Sequence, residues 1–195
     1  MISTFGIVLA VSYLLGVFLF WRKGRGEGFS SDDLFDLALV SSLAAIAGGK
    51  LPPLFLATPG GFFWSGSVLA GAMALIVFAS FKRWSPPRIL DLAALAMSFS
   101  EALISLWLGI TNLQPFPLAA GYLLRVAFLN FIYRRTPPGV AFFLYLLLES
   151  VLLYFSQGFI SWALIGGGVA GLAALLGRKY WIAIRSRFKV KRSNG

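Results

Sequence analysis

Apolar and polar positions fall in long blocks along this chain. Residues 2–21 are a run of twenty, almost all apolar, and Arg22, Lys23 and Arg25 follow at once. Two further runs, 62–81 and 89–110, flank a short turn that carries Lys82, Arg83 and Arg88. About 20 residues of helix cross ~30 Å of hydrocarbon, so each run is long enough to span a bilayer. Extended outward from this hairpin, the pattern predicts an all-α, polytopic membrane protein of about seven transmembrane helices. The spans are 2–21, 34–56, 62–81, 89–110, 117–133, 139–155 and 159–176, forming one helical bundle over residues 1–177.

Polar punctuation sets the ends. Residues 21–33 read as a polar link, with Ser30 or Ser31 to cap the second helix and Asp32 and Asp33 in its first turn. Ser41, Ala45 and Gly49 form a small-residue stripe that lets another helix approach closely. Lys50, Pro52 and Pro53 predict a broken or re-entrant end to that span. Trp64 is placed like an interfacial anchor for the third span. Gly167 and Gly171 make a GxxxG pair in the seventh, a packing signal that also suits a dimer interface. Residues 178–195 are basic and aromatic, and read as an amphipathic cytoplasmic tail touching anionic lipid heads.

Composition agrees with the blocks. The chain is 58% hydrophobic and only 12% charged, with a mean hydropathy of +0.83, where soluble domains carry about a quarter charged residues. The net charge of +10 would point a soluble protein toward nucleic acid, but here it is topological, and no nucleic-acid partner is expected. Fifteen of the seventeen basic residues fall in the links assigned to one side, and the links on the other side hold none. Lys and Arg stay cytoplasmic, so the N-terminus is expected outside and the C-terminus in the cytoplasm. The first run has no basic residues in front and no small-residue cleavage site, so it reads as a retained span rather than a signal peptide. No cysteine or histidine is present, which excludes disulfides, thiol chemistry, Cys/His metal sites and a histidine base. No cofactor or metal is expected.

Charges inside spans cost about 2.5–3.5 kcal/mol each on insertion scales and usually face the bundle interior in pairs. Glu101, Arg125 and Glu149 lie near mid-depth in the fourth, fifth and sixth spans, and Lys50 lies toward the outer end of the second. Two readings stand open. The charges line a polar cavity that binds a lipid phosphate or passes a proton, or they form a buried ion triad that fixes packing. Arg125 is the best single candidate for gripping phosphate, because guanidinium does so bidentately. Ser65, in Ser65-Gly66-Ser67 at the start of the third span, is a weaker anion candidate. Asp36 and Asp91 read as stabilisers of their own helix ends, and Tyr13, Tyr122, Tyr145 and Tyr154 as packing or interfacial residues.

Several of these residues together resemble the bacterial prolipoprotein diacylglyceryl transferases over roughly residues 2–175. Ile2-Ser3-Thr4-Phe5-Gly6 resembles the family's opening I-S-x-Y-G, and Gly48-Gly49-Lys50-Leu51 its G-A-R-L, with Lys50 in the arginine position. Phe63-Trp64-Ser65-Gly66-Ser67 resembles its S-F-H-G-G, and Arg88-Ile89-Leu90-Asp91 its L-A-D. Residues 134–140 resemble its basic turn and P-x-G-V. The resemblance implies a seven-span bundle with an outside N-terminus, in a bacterial cytoplasmic membrane. It also implies phosphatidylglycerol as lipid partner and a lipoprotein signal peptide as protein partner.

The departures are as informative. The family's histidine falls on Ser65, and its span-four signature G-R-I-G-N-F falls on residues 104–109, where its arginine and asparagine are absent. Its H-P-S-Q-L-Y-E segment falls on residues 116–122, where Pro117 alone survives, and its sixth-span charges fall near Leu152 and Ser156. The expectation is a catalytically degenerate relative that binds lipid or lipoprotein. An active transferase with a rearranged site, in which Arg125 and Lys50 replace the lost cations, is the alternative. A small proton-coupled transporter using Glu101 and Glu149 is the second alternative.

Overall fold

The computed structural model describes residues 4–55, 63–157, 164–175 and 177. Among the described residues seven helices follow one another: α1 (Thr4–Gly26), α2 (Ser31–Phe55), α3 (Trp64–Phe81), α4 (Pro86–Ile110), α5 (Phe116–Tyr133), α6 (Val140–Gln157) and α7 (Leu164–Leu175). Five are long and apolar enough to cross a membrane, and the last two are shorter apolar helices. The chain is a multi-pass helical membrane protein. The basic tail, residues 178–195, lies outside the described residues.

The bundle is built around α4, which α1, α3, α5 and α6 all contact, while α2 lies outside against α3 and α1. Burial is sorted as a lipid solvent requires. Leu39, Leu43 and Ile46 of α2 and Leu124 and Phe131 of α5 are exposed, while Ser12, Ser65, Ser98 and Ser105 are buried. Hydrocarbon accepts the apolar side chains but not unpaired hydroxyls.

The link after α1 is shorter than the polar pattern predicts. The helix runs on through Arg22, Lys23 and Arg25, since these are good helix formers and cations suit the negative end of the helix dipole. It stops where Gly28 takes φ +89°, and Phe29 N–H returns to the Gly24 carbonyl (3.1 Å). Ser31 opens α2, and its hydroxyl accepts the Trp21 indole N–H (2.7 Å).

The expected break at Pro52 and Pro53 does not occur: α2 stays helical to Phe55. The two prolines sit in the last turn, where they strip donors from the carbonyls of Gly48 and Gly49. Phe63 N–H takes the Gly49 carbonyl instead (2.8 Å), so the chain leading into α3 repairs the end of α2. The small-residue stripe does what its spacing predicts, with Gly48 and Ala45 in close contact with α3. A Cβ added at Gly48 would lie 2.5 Å from the Gly66 carbonyl oxygen and 2.4 Å from Ala70 Cβ, and one at Gly71 would lie 3.3 Å from Ala45 Cβ. In α7, a Cβ at Gly168 or Gly171 would strike Leu147 or the Phe143 ring. The glycine face of α7 is therefore occupied by α6 of the same chain.

Asp91 corrects a second expectation. It stabilises a helix start, but not that of its own helix. It is fully buried and accepts N–H bonds from Gly139 (2.7 Å) and Phe142 (2.9 Å) at the start of α6. One carboxylate thus joins α4 to the Pro137-Pro138-Gly139 turn, where Gly139 adopts φ +97°. Asp91→Ala is expected to cost about 1–3 kcal/mol, because two buried donors lose their acceptor. Asp91→Asn is expected to cost less, since one acceptor oxygen survives. Thermal unfolding of the purified protein in detergent checks the order.

Candidate functional site

Helical rise alone brings three charges to one level. Glu101 lies nine residues from the end of α4, Arg125 nine from the start of α5 and Glu149 eight from the end of α6. At 1.5 Å per residue these are ~12–14 Å from the same end of the bundle. The helices pack on one another, and the side chains meet. The Arg125 guanidinium bonds Glu149 through Nη1 and Glu101 through Nη2, and its Nε donates to Ser98 Oγ (3.1 Å). The outer carboxylate oxygens are held as well. Trp64 Nε1 donates to Glu149 Oε1 (3.0 Å) and the Tyr145 hydroxyl to Glu101 Oε1 (2.9 Å). The guanidinium carbon lies 4.8 Å from the Tyr122 ring centroid and 5.0 Å from that of Tyr145.

The network is closed. Arg125 and Glu149 are buried, and the Glu101 side chain is 11% exposed. No buried side-chain nitrogen or oxygen among the described residues lacks a partner. All three nitrogens of the guanidinium are engaged, so a phosphate could take its fork only by displacing a carboxylate. Lys50 is exposed on α2, a helix that packs chiefly on α3 and also on α1. Ser65 is buried on α3 next to Trp64. Among the described residues, no group of acidic residues is placed to hold a metal ion.

Four members of the network were not singled out by the sequence reading, which took Trp64 as an interfacial anchor and Tyr122 and Tyr145 as packing. A signal was present. Ser98 precedes Glu101 by three residues, Tyr122 precedes Arg125 by three and Tyr145 precedes Glu149 by four, so each shares a helix face with a charge. Trp64 carries no such local cue, because its partner is 85 residues away.

A second polar cluster ties the basic end together. Arg88 grips Glu27 through Nε (3.1 Å) and Nη2 (2.8 Å), stacks on the Tyr133 ring at 4.2 Å and donates to the Tyr133 carbonyl (3.3 Å). The Tyr133 hydroxyl donates to the same Glu27 (3.1 Å). The Arg88 hydrogen bond holds the Glu27 carboxyl below its usual range, against the opposing effect of partial burial. Lys82 pairs with Asp33 (2.7 Å), and that hydrogen bond raises the lysine. These contacts put the links after α1, α3 and α5 at one end of the bundle.

Together these features define a polytopic helical membrane protein with a sealed arginine–glutamate network in its core. No family model matches the chain. Comparison with curated proteins finds phosphatidylglycerol–prolipoprotein diacylglyceryl transferases. One from Clostridium tetani is 24% identical over 110 residues, covering 50% of this chain and 44% of the relative. One from Streptococcus equi subsp. zooepidemicus is 25% identical over 133 residues, covering 61% and 51%. A third, from Streptococcus mutans, is 25% identical over 129 residues, covering 59% and 49%. The chain spans about half the length of the curated relatives it matches, and these matches support a divergent member of the prolipoprotein diacylglyceryl transferase family.

Proposed function

We propose that this protein engages lipoprotein precursors or phospholipid within the membrane without performing the transfer for which its relatives are named. The closure of Arg125 by Glu101, Glu149 and Ser98 carries this reading. Moving a diacylglyceryl group onto a cysteine thiol forms a carbon–sulfur bond as the glyceryl carbon–oxygen bond to glycerol phosphate breaks, and it needs a base near the thiol and cations on the departing glycerol phosphate. The chain has no histidine. The positions where the resemblance puts the family's span-four cation and amide hold residues 104–109, none of them charged. Arg125, the strongest replacement, is already bonded on three sides. In this reading the triad is architectural: it fixes α4, α5 and α6 against one another, and the inherited bundle serves recognition.

The test is a reconstitution. Full-length protein in phosphatidylglycerol liposomes is incubated with a synthetic lipoprotein signal peptide that carries the acceptor cysteine. The expected result is retention of the peptide by the protein with no change in peptide mass. A diacylglyceryl mass gain on the cysteine would overturn the reading in favour of an active, rearranged site.

A further inference from the structure

We propose that the cleft between the basic ends of α1 and α5 seats the headgroup of an anionic phospholipid, with Arg22, Lys23 and Arg134 on its phosphate. This does not rest on the transferase kinship. It needs only that the bundle spans a membrane with its basic end in the cytoplasm, as the positive-inside rule assigns it.

The cleft has a volume of about 360 Å³ and is lined by Leu19, Arg22, Lys23, Gly26, Glu27, Tyr133 and Arg134. That is within the range of small-ligand clefts. Its one acid is already matched, because Glu27 is gripped by Arg88. Its three cations have no carboxylate partner among the described residues. Lys23 is held in place, donating one N–H to Asn130 Oδ1 (2.9 Å) with its ammonium 5.4 Å from the Tyr133 ring centroid. The cleft therefore gathers three cations at the basic end of the bundle, Lys23 held in place and Arg22 and Arg134 exposed, and basic pockets between helices select anionic headgroups.

The walls above the cleft say that the anion comes with acyl chains. α1 and α5 both pack on α4, and Lys23 bridges them to Asn130 at the basic end. On α1, Leu19 and Leu15 stand one and two turns above Lys23 on the same face. On α5, Ala127 and Leu123 stand likewise above Asn130 and Arg134. Leu15 is 42% and Leu123 44% exposed. An apolar track thus leads from the cationic cleft toward the membrane interior. A soluble phosphate would use the charges alone, whereas a phospholipid uses both.

Native mass spectrometry of delipidated full-length protein tests this. Dioleoylphosphatidylglycerol, dioleoylphosphatidylcholine and sn-glycerol 3-phosphate are titrated separately and in competition. Two variants are compared with the unsubstituted chain. Arg22→Gln/Lys23→Gln/Arg134→Gln removes the charges. Gly26→Leu fills the cleft and leaves every charge in place; no protein atom lies within 4 Å of a Cβ built at Gly26. The expected result is preferential retention of phosphatidylglycerol over phosphatidylcholine. That retention should fall about tenfold or more in the charge variant and several-fold in Gly26→Leu, with no competition from glycerol phosphate. Equal retention of the two lipids would overturn the proposal, as would unchanged retention in Gly26→Leu. Competition by glycerol phosphate at matched concentration would make this a soluble-anion site and overturn the lipid assignment. Should the charge variant fail to insert, Gly26→Leu decides alone.

Discussion

Arg125→Met is expected to destabilise the bundle by about 3–5 kcal/mol and to lower its melting temperature sharply. The reason is not the lost attraction alone. The substitution leaves Glu101 and Glu149 facing each other in a buried space, each with an oxygen that has lost its guanidinium donor. Breaking a buried ion network by removing one member costs about this much, because the remaining charge has no compensation. Removing all three charges is a different perturbation. Arg125→Met/Glu101→Gln/Glu149→Gln keeps the side-chain volumes close and leaves amides that still accept from Trp64 and Tyr145. That variant is expected to recover most of the loss. Thermal unfolding in detergent, followed by the fluorescence of the six tryptophans, compares the single and triple variants. A stable single variant would mean that the charges do not hold these helices together.

The second large effect is steric. Gly48→Leu is expected to cost more than the roughly 1–3 kcal/mol that overpacking usually costs, with Gly48→Ala inside that range. The added Cβ meets backbone: the Gly66 carbonyl oxygen at 2.5 Å cannot rotate aside as a side chain would. α2 would have to move away from α3, its most extensive partner. That movement also breaks the Phe63 N–H bond to Gly49, which the prolines make necessary. Helix association in lipid relies on close approach and internal hydrogen bonds more than on apolar burial, so little is available to compensate. A drop in melting temperature that grows from alanine to leucine is the expected signature.

How far the sequence reads depends on distance along the chain. The spans were legible because twenty consecutive apolar residues have few other uses, and the sorting of Arg and Lys added a prediction of sidedness. The meeting of Glu101, Arg125 and Glu149 was legible in outline. Charges at equal depth on neighbouring helices have only one another to neutralise them. Other features depend on which helix lies beside which. Asp91 looked local and instead caps a helix 48 residues onward. The two prolines looked like a break because the donor that replaces their missing N–H comes from Phe63, beyond the turn. Trp64 looked like an anchor because nothing nearby in sequence announces Glu149 as its acceptor.

The central claim is that Arg125 is committed to Glu101 and Glu149 as architecture and grips no ligand. The direct measurement is the native lipid content of the folded triple variant Arg125→Met/Glu101→Gln/Glu149→Gln, compared with that of the unsubstituted protein purified in the same way. The account predicts the same bound phospholipid in both. A triple variant that folds normally but arrives stripped of lipid would contradict it, because the arginine would then have been holding a phosphate.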